Sequence, residues 1–148
     1  MRIALGADDS TRVVDAVAEL LIAQGHSVTR FGRAAGDAEA WAATARRVAQ
    51  AVASGAQELG VVCCFTGTGV CIAANKVPGV RAALCVDAET ARGARKWNDA
   101  NVLALSLRLT SEEIAKEIVG AWPSEPYAYT EDESLAVLRA LDARGPGP

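Results

Sequence analysis

Cys64 stands inside the apolar run 59–65 and is followed at once by Thr66, Gly67, Thr68 and Gly69. Glycine at alternate positions removes side-chain bulk, so successive backbone amides can converge on an oxyanion where a helix begins. A helix N-terminus favours negative charge, and a thiolate beside one can act as nucleophile or as base. The chain has four cysteines, Cys63, Cys64, Cys71 and Cys85. No pair has CxxC spacing, and the adjacency of Cys63 and Cys64 argues against a disulfide framework or a zinc knuckle. Only Cys64 adjoins the glycine turn, and the other three read as small buried hydrophobes. A competing reading takes Gly67-Thr68-Gly69 as a dinucleotide fingerprint, with Asp87 about twenty residues on to hold a ribose. It is weak, because Ile72 stands at the third glycine position and the motif follows the third strand instead of opening the domain.

A thiol at a strand end needs a sheet to hold it. Apolar β-rich runs alternate with helical patterns from the first residue onward, the signature of βαβ units and a parallel sheet. Strands are predicted at 2–7, 26–31, 59–65, 80–86 and 102–105. Ser10 or Thr11 caps a first helix whose Val13, Val14, Val17, Leu20 and Leu21 share a face, and Gly25 ends it. Further helices are predicted at 37–54, 69–75 and 89–97, then from Thr110 and Ser111 through Trp122, and last at 133–143. In such open sheets ligands gather at the carboxyl ends of strands, which is where Cys64 lies.

With 148 residues the chain fits one domain, 1–148, and can bury roughly 70% of its unfolded surface. Half the residues are apolar and few are aromatic, which suits helices packed on a small parallel sheet. The net charge of −3 comes without a basic stripe, so neither nucleic acid nor an anionic membrane surface is expected as a partner. Asp8 and Asp9 interrupt the first apolar run before it can act as a signal peptide, and no later run reaches the length of a membrane span. A reducing cytoplasm is the expected location, and the Gly-Pro-Gly-Pro tail, 144–148, is expected to be disordered.

The run from Cys64 through Thr66, Gly67, Thr68 and Gly69 to Ala73-Ala74-Asn75-Lys76 and on to Cys85 resembles the signature of the ribose-5-phosphate isomerase B and galactose-6-phosphate isomerase family. Ile3-Ala4-Leu5-Gly6-Ala7-Asp8, Asn98-Asp99-Ala100-Asn101 and Arg108 extend the resemblance over nearly the whole chain. It implies a three-layer α/β/α sandwich with a five-stranded parallel sheet, assembled as a homodimer or homotetramer whose active sites are shared between subunits. It implies aldose–ketose isomerisation of a small sugar through a cis-enediol, with no metal and no cofactor. Carried over by position, Cys64 is the base that moves a proton between C1 and C2, and Thr66 assists between the two oxygens. Amides of Thr66, Gly67, Thr68 and Gly69 would stabilise the enediolate. Asp8, Asn98 and Arg108 match positions that bind sugar hydroxyls and the far end of the substrate.

Four positions depart from the family pattern. The His after the first strand's Asp is Asp9, and the ring-opening His before the Asn-Asp pair is Trp97. The two phosphate-gripping Arg fall on Glu131 and Leu135, and the Asp-Tyr-Pro segment appears as Asp37-Ala38-Glu39 with Trp41 nearby. A phosphate dianion beside Asp9 and Glu131 would meet repulsion of up to about 4 kcal/mol per charge at an effective dielectric of 20. Trp97 cannot exchange a proton at neutral pH, although its indole can stack on a sugar face. The expected substrate is therefore an unphosphorylated or otherwise atypical sugar, open-chain or short. Arg139, one turn beyond Leu135, offers a replacement phosphate contact. His26, the only histidine, reads as structural. Phe65, where the family has Gly, either narrows the pocket or fills the core behind the third strand. Two other functions are compatible with these residues: the Cys-bearing subunit of a heteromeric isomerase with a homologous partner subunit, and a non-catalytic sugar-binding protein.

Overall fold

The computed structural model describes residues 1–143, and the 144–148 tail lies outside the described residues. Five strands, β1 Arg2–Ala7, β2 Ser27–Gly32, β3 Leu59–Cys64, β4 Ala82–Leu84 and β5 Val102–Ser106, form one sheet in the order β2-β1-β3-β5-β4. Every pairing is parallel. Among the described residues six α-helices connect and flank them, α1 Arg12–Ala23, α2 Trp41–Ala53, α3 Thr68–Ala74, α4 Ala88–Asn98, α5 Glu112–Ala121 and α6 Asp132–Ala143, and a 3-10 turn, Arg33–Ala35, follows β2.

The sheet separates two apolar clusters because successive strand residues point to opposite faces. Ile3, Leu5, Val61, Cys63, Leu103 and Leu105 pack against α1, α4 and α5 on one side. Ala4, Val62, Cys64, Val102 and Ala104 pack against α2 and α3 on the other. The adjacent cysteines thus belong to different layers, and β3, buried at all six residues, sits at the centre of the sheet. Thr11, Asp87 and Ser111 cap α1, α4 and α5 by accepting hydrogen bonds from Val14, Thr90 and Ile114. Asp87, the residue that a dinucleotide reading would assign to a ribose, is engaged as a helix cap. Among the described residues no helix is long and apolar enough to cross a membrane.

Most elements shift by a residue or two from the sequence-based expectation, and α2 and β4 depart further. Helix α2 begins at Trp41, not at 37, because Asp37 and Glu39 reach forward to the Arg47 guanidinium and Glu39 accepts the Thr44 hydroxyl at 2.9 Å. These tertiary ties hold the segment as a loop. Strand β4 spans three residues instead of seven, since the side chain of Asn101 takes the Arg81 amide before the ladder with β5 starts.

Candidate active site

Asp8 follows β1 directly and Cys64 ends β3, on neighbouring strands whose last paired residues are Ala7 and Cys63, and the Asp8 amide donates to the Cys63 carbonyl at 3.4 Å. After Cys64 the chain turns through Phe65, Thr66 and Gly67 into α3. Gly67 has a φ of +75°, and a Cβ there would lie 2.6 Å from Leu84 Cδ1 and 2.9 Å from the Leu105 carbonyl carbon. Only glycine fits both the backbone conformation and the space. Among the described residues the amides of Thr66, Gly67, Thr68 and Gly69 have no protein acceptor, which leaves a row of donors at the turn. The Thr66 and Thr68 hydroxyls lie 2.7 Å apart and are hydrogen-bonded.

A cleft of about 320 Å³ opens here, lined by Cys64, Asp8, Phe65, Thr66, Thr68, Gly69 and Trp41. Cys64 is 6% exposed, so its sulfur is set back in the protein while bordering this solvent-reaching space. The other cysteines differ. Burial pushes the Cys63 and Cys85 thiols up to about 12, and burial also raises Cys71, whose sulfur faces the Ala82 carbonyl at 3.4 Å. Burial likewise lifts the Asp8 carboxyl above its ordinary value, opposed by its own amide and reinforced by Asp9.

Trp41 is the lining residue whose role the sequence does not disclose. Its ring covers Gly69 so closely that a Cβ on that glycine would come within 3.1 Å of it. The signal was indirect: an aromatic at the first turn of α2, the helix that packs beside α3 on the same face of the sheet. Phe65 is 63% exposed, which excludes a role filling the core. Asp9 and Leu107 border a second cleft of about 210 Å³ that shares Asp8 and Phe65 with the first. Arg108 sits on the rim, its guanidinium 5.9 Å from the Phe65 ring.

Trp97 and Asn98 are not brought to Cys64 within one chain. They lie at the last turn of α4, and Asn101, just beyond, accepts from the Gly60 amide near the start of β3. Gly60 and Cys64 are separated by the length of β3, roughly 13 Å at 3.3 Å per residue. Asn98 instead lines a cleft of about 430 Å³ with Arg81, Leu138, Leu141 and Asp142. Trp97 packs on Gly93 beside the Lys96 ammonium, half its surface exposed. Leu135 is buried, Arg139 is exposed, and Glu131 precedes α6, whose Leu138 and Leu141 border the Asn98 cleft. Asp9 thus borders the cleft beside Phe65, whereas α6, which follows Glu131, borders the Asn98 cleft. His26 lies before β2 against the Met1 amino group, at the end of the sheet opposite Cys64.

A parallel α/β sheet with a thiol and a glycine turn at its carboxyl edge defines the class, and the chain belongs to the Ribose/Galactose Isomerase family, whose model matches residues 3–137. It is 40% identical over 124 residues to the D-erythrulose-4-phosphate isomerase of Pectobacterium atrosepticum, covering 82% of each chain. It is 34% identical over 126 residues to the galactose-6-phosphate isomerase subunit LacB of Clostridium acetobutylicum, covering 85% of this chain and 72% of that one. The structure of ribose-5-phosphate isomerase B from Clostridium thermocellum superposes with a TM-score of 0.90 at 34% identity, covering 97% of this chain and 99% of that one.

Proposed function

We propose that this chain is an aldose–ketose isomerase for a short sugar that reacts in its open-chain form, with Cys64 as the base. One observation carries the reading: of four thiols, the one beside unpaired amides of the glycine turn borders the cleft. Cys64 takes the proton from C2 of the aldose, the electron pair forms a C1–C2 double bond, and negative charge moves onto O1. Return of the proton to C1, with a hydroxyl proton passed from O2 to O1 by Thr66, gives the ketose. Atoms and electrons balance within the sugar, and the turn amides bind the oxyanion that develops. Asp8 accepts a sugar hydroxyl, and Arg108 on the rim binds the far end.

Trp97 at the ring-opening position favours a substrate with no ring to open. A four-carbon sugar phosphorylated on its terminal oxygen has no hydroxyl placed to close a five-membered ring, and the relative named for D-erythrulose 4-phosphate acts on that class. A second reading, an unphosphorylated sugar, is favoured by the carboxylates of Asp8 and Asp9 at the clefts and by Leu135 buried at a phosphate-arginine position. Trp97 and Asn98 complete the site from a second copy of the chain, or from a homologous partner subunit.

The test is turnover of four-carbon aldoses and ketoses with and without a terminal phosphate. Native protein should interconvert one pair, and Cys64→Ala should lose about 10²- to 10⁴-fold in rate, the usual contribution of a positioned base. A rate unchanged by the substitution refutes the proposal, and the preferred member of each pair decides between the two readings.

A further inference from the structure

We infer that Phe65 is a wedge that sets the carbon-chain length of the sugar, an inference that rests on the isomerase reading of the Cys64 cleft. The Phe65 backbone is fixed from two sides: its carbonyl accepts the Ser106 hydroxyl at 3.1 Å and the Arg108 amide at 2.9 Å. Ser106 is itself 3% exposed, so this anchor is internal and rigid. With its main chain held, the benzyl group can only project outward, and it is 63% exposed.

The ring borders both clefts. On one side lie Cys64, Thr66 and Trp41, and on the other lie Asp9 and Leu107, with Asp8 touching both. Space that would otherwise run continuously from the thiol past Asp8 is thereby divided. The compartment holding the thiol is closed at its opposite wall by Trp41, whose ring lies on Gly69. A sugar with its reacting carbons at Cys64 runs between an indole and a phenyl, and an added carbon meets the Phe65 ring. The Arg108 guanidinium against that ring holds it in place. Glycine at this position joins the two clefts into one longer channel without disturbing the carbonyl contacts that hold the turn.

The experiment compares native protein, Phe65→Gly and Phe65→Ala on open-chain and phosphorylated sugars of three to six carbons. It measures kcat/KM by coupled turnover and affinity by quenching of tryptophan fluorescence, since Trp41 lines the cleft. Native protein should show a steep fall in both between four and five carbons. Both variants should gain about 10-fold or more on five-carbon sugars relative to four-carbon ones, the scale on which one carbon unit is discriminated in a shaped pocket. A cut-off in affinity that moves with Phe65 in a protein without turnover supports the wedge while refuting the isomerase reading. An unchanged length profile in both variants, a native preference for five or six carbons, loss of turnover at every length in both variants, or no binding of any sugar overturns the wedge.

Discussion

The carboxamide of Asn75 holds both polar groups of the Ala82 backbone: its Oδ1 accepts the Ala82 amide at 2.8 Å, and its Nδ2 donates to the Ala82 carbonyl at 2.8 Å. One side chain at the end of α3 thus stands in for a strand along the outer edge of β4. It ties the helix that starts at the glycine turn to the edge of the sheet. Asn75→Ala should lower stability by about 1–2 kcal/mol, the net worth of two such hydrogen bonds. Chemical denaturation measures it, and faster amide exchange should be concentrated in β4. A variant as stable as native protein would show that the pairing holds nothing.

Thiol reactivity separates the four cysteines. Cys63 and Cys85 are buried with thiols pushed up to about 12, whereas Cys64 borders open space. Limited alkylation of folded protein near neutral pH, read by peptide mass spectrometry, should modify Cys64 first and leave Cys63 and Cys85 unlabelled. Modification of Cys63 ahead of Cys64 would contradict the layer assignment.

Asp8 gives a pH dependence with a definite sign. Burial raises its carboxyl above the ordinary 3.8, so the folded state binds the proton more tightly than the unfolded chain does. Its contribution to stability is full below that ordinary value and is lost as pH rises through the folded value. Asp8→Asn should therefore melt higher than native protein near neutral pH, with the gain vanishing in acid. Activity should fall in the same variant, the trade common where a polar group is kept for chemistry. A lower melting temperature at neutral pH would reverse the argument.

Trp97 and Asn98 at the far end of β3 lead to a complementation experiment. Cys64→Ala and Asn98→Ala should each be nearly inactive alone, and a mixture dissociated and reassembled should recover partial activity, because a mixed dimer keeps one intact site. Absence of recovery in verified mixed dimers would mean that each chain builds its site alone.

The parallel sheet and the place of Cys64 at the end of β3 were legible because strong local signals marked them: an unbroken apolar strand followed at once by a glycine turn, and strands alternating with helices of which α1, α4 and α5 carry side-chain caps. The start of α2 was not, because Asp37 and Glu39 are held in a loop by Arg47, a contact between side chains that no local pattern announces. The wall formed by Trp41 depends on how α2 lies across the turn, and the outward direction of Phe65 depends on Ser106 gripping its carbonyl. The segment Ala73-Ala74-Asn75-Lys76 served in the sequence only as a mark of family, and the physical work of its Asn75 proves to be fastening β4.

The most direct test of Cys64 as the proton carrier is hydrogen exchange with solvent. In deuterium oxide, native protein given a four-carbon ketose of the proposed class should place deuterium on the carbons that exchange the proton, and Cys64→Ala, folded and able to bind the sugar, should place none above background. Exchange that continues at the native rate in Cys64→Ala would contradict the account.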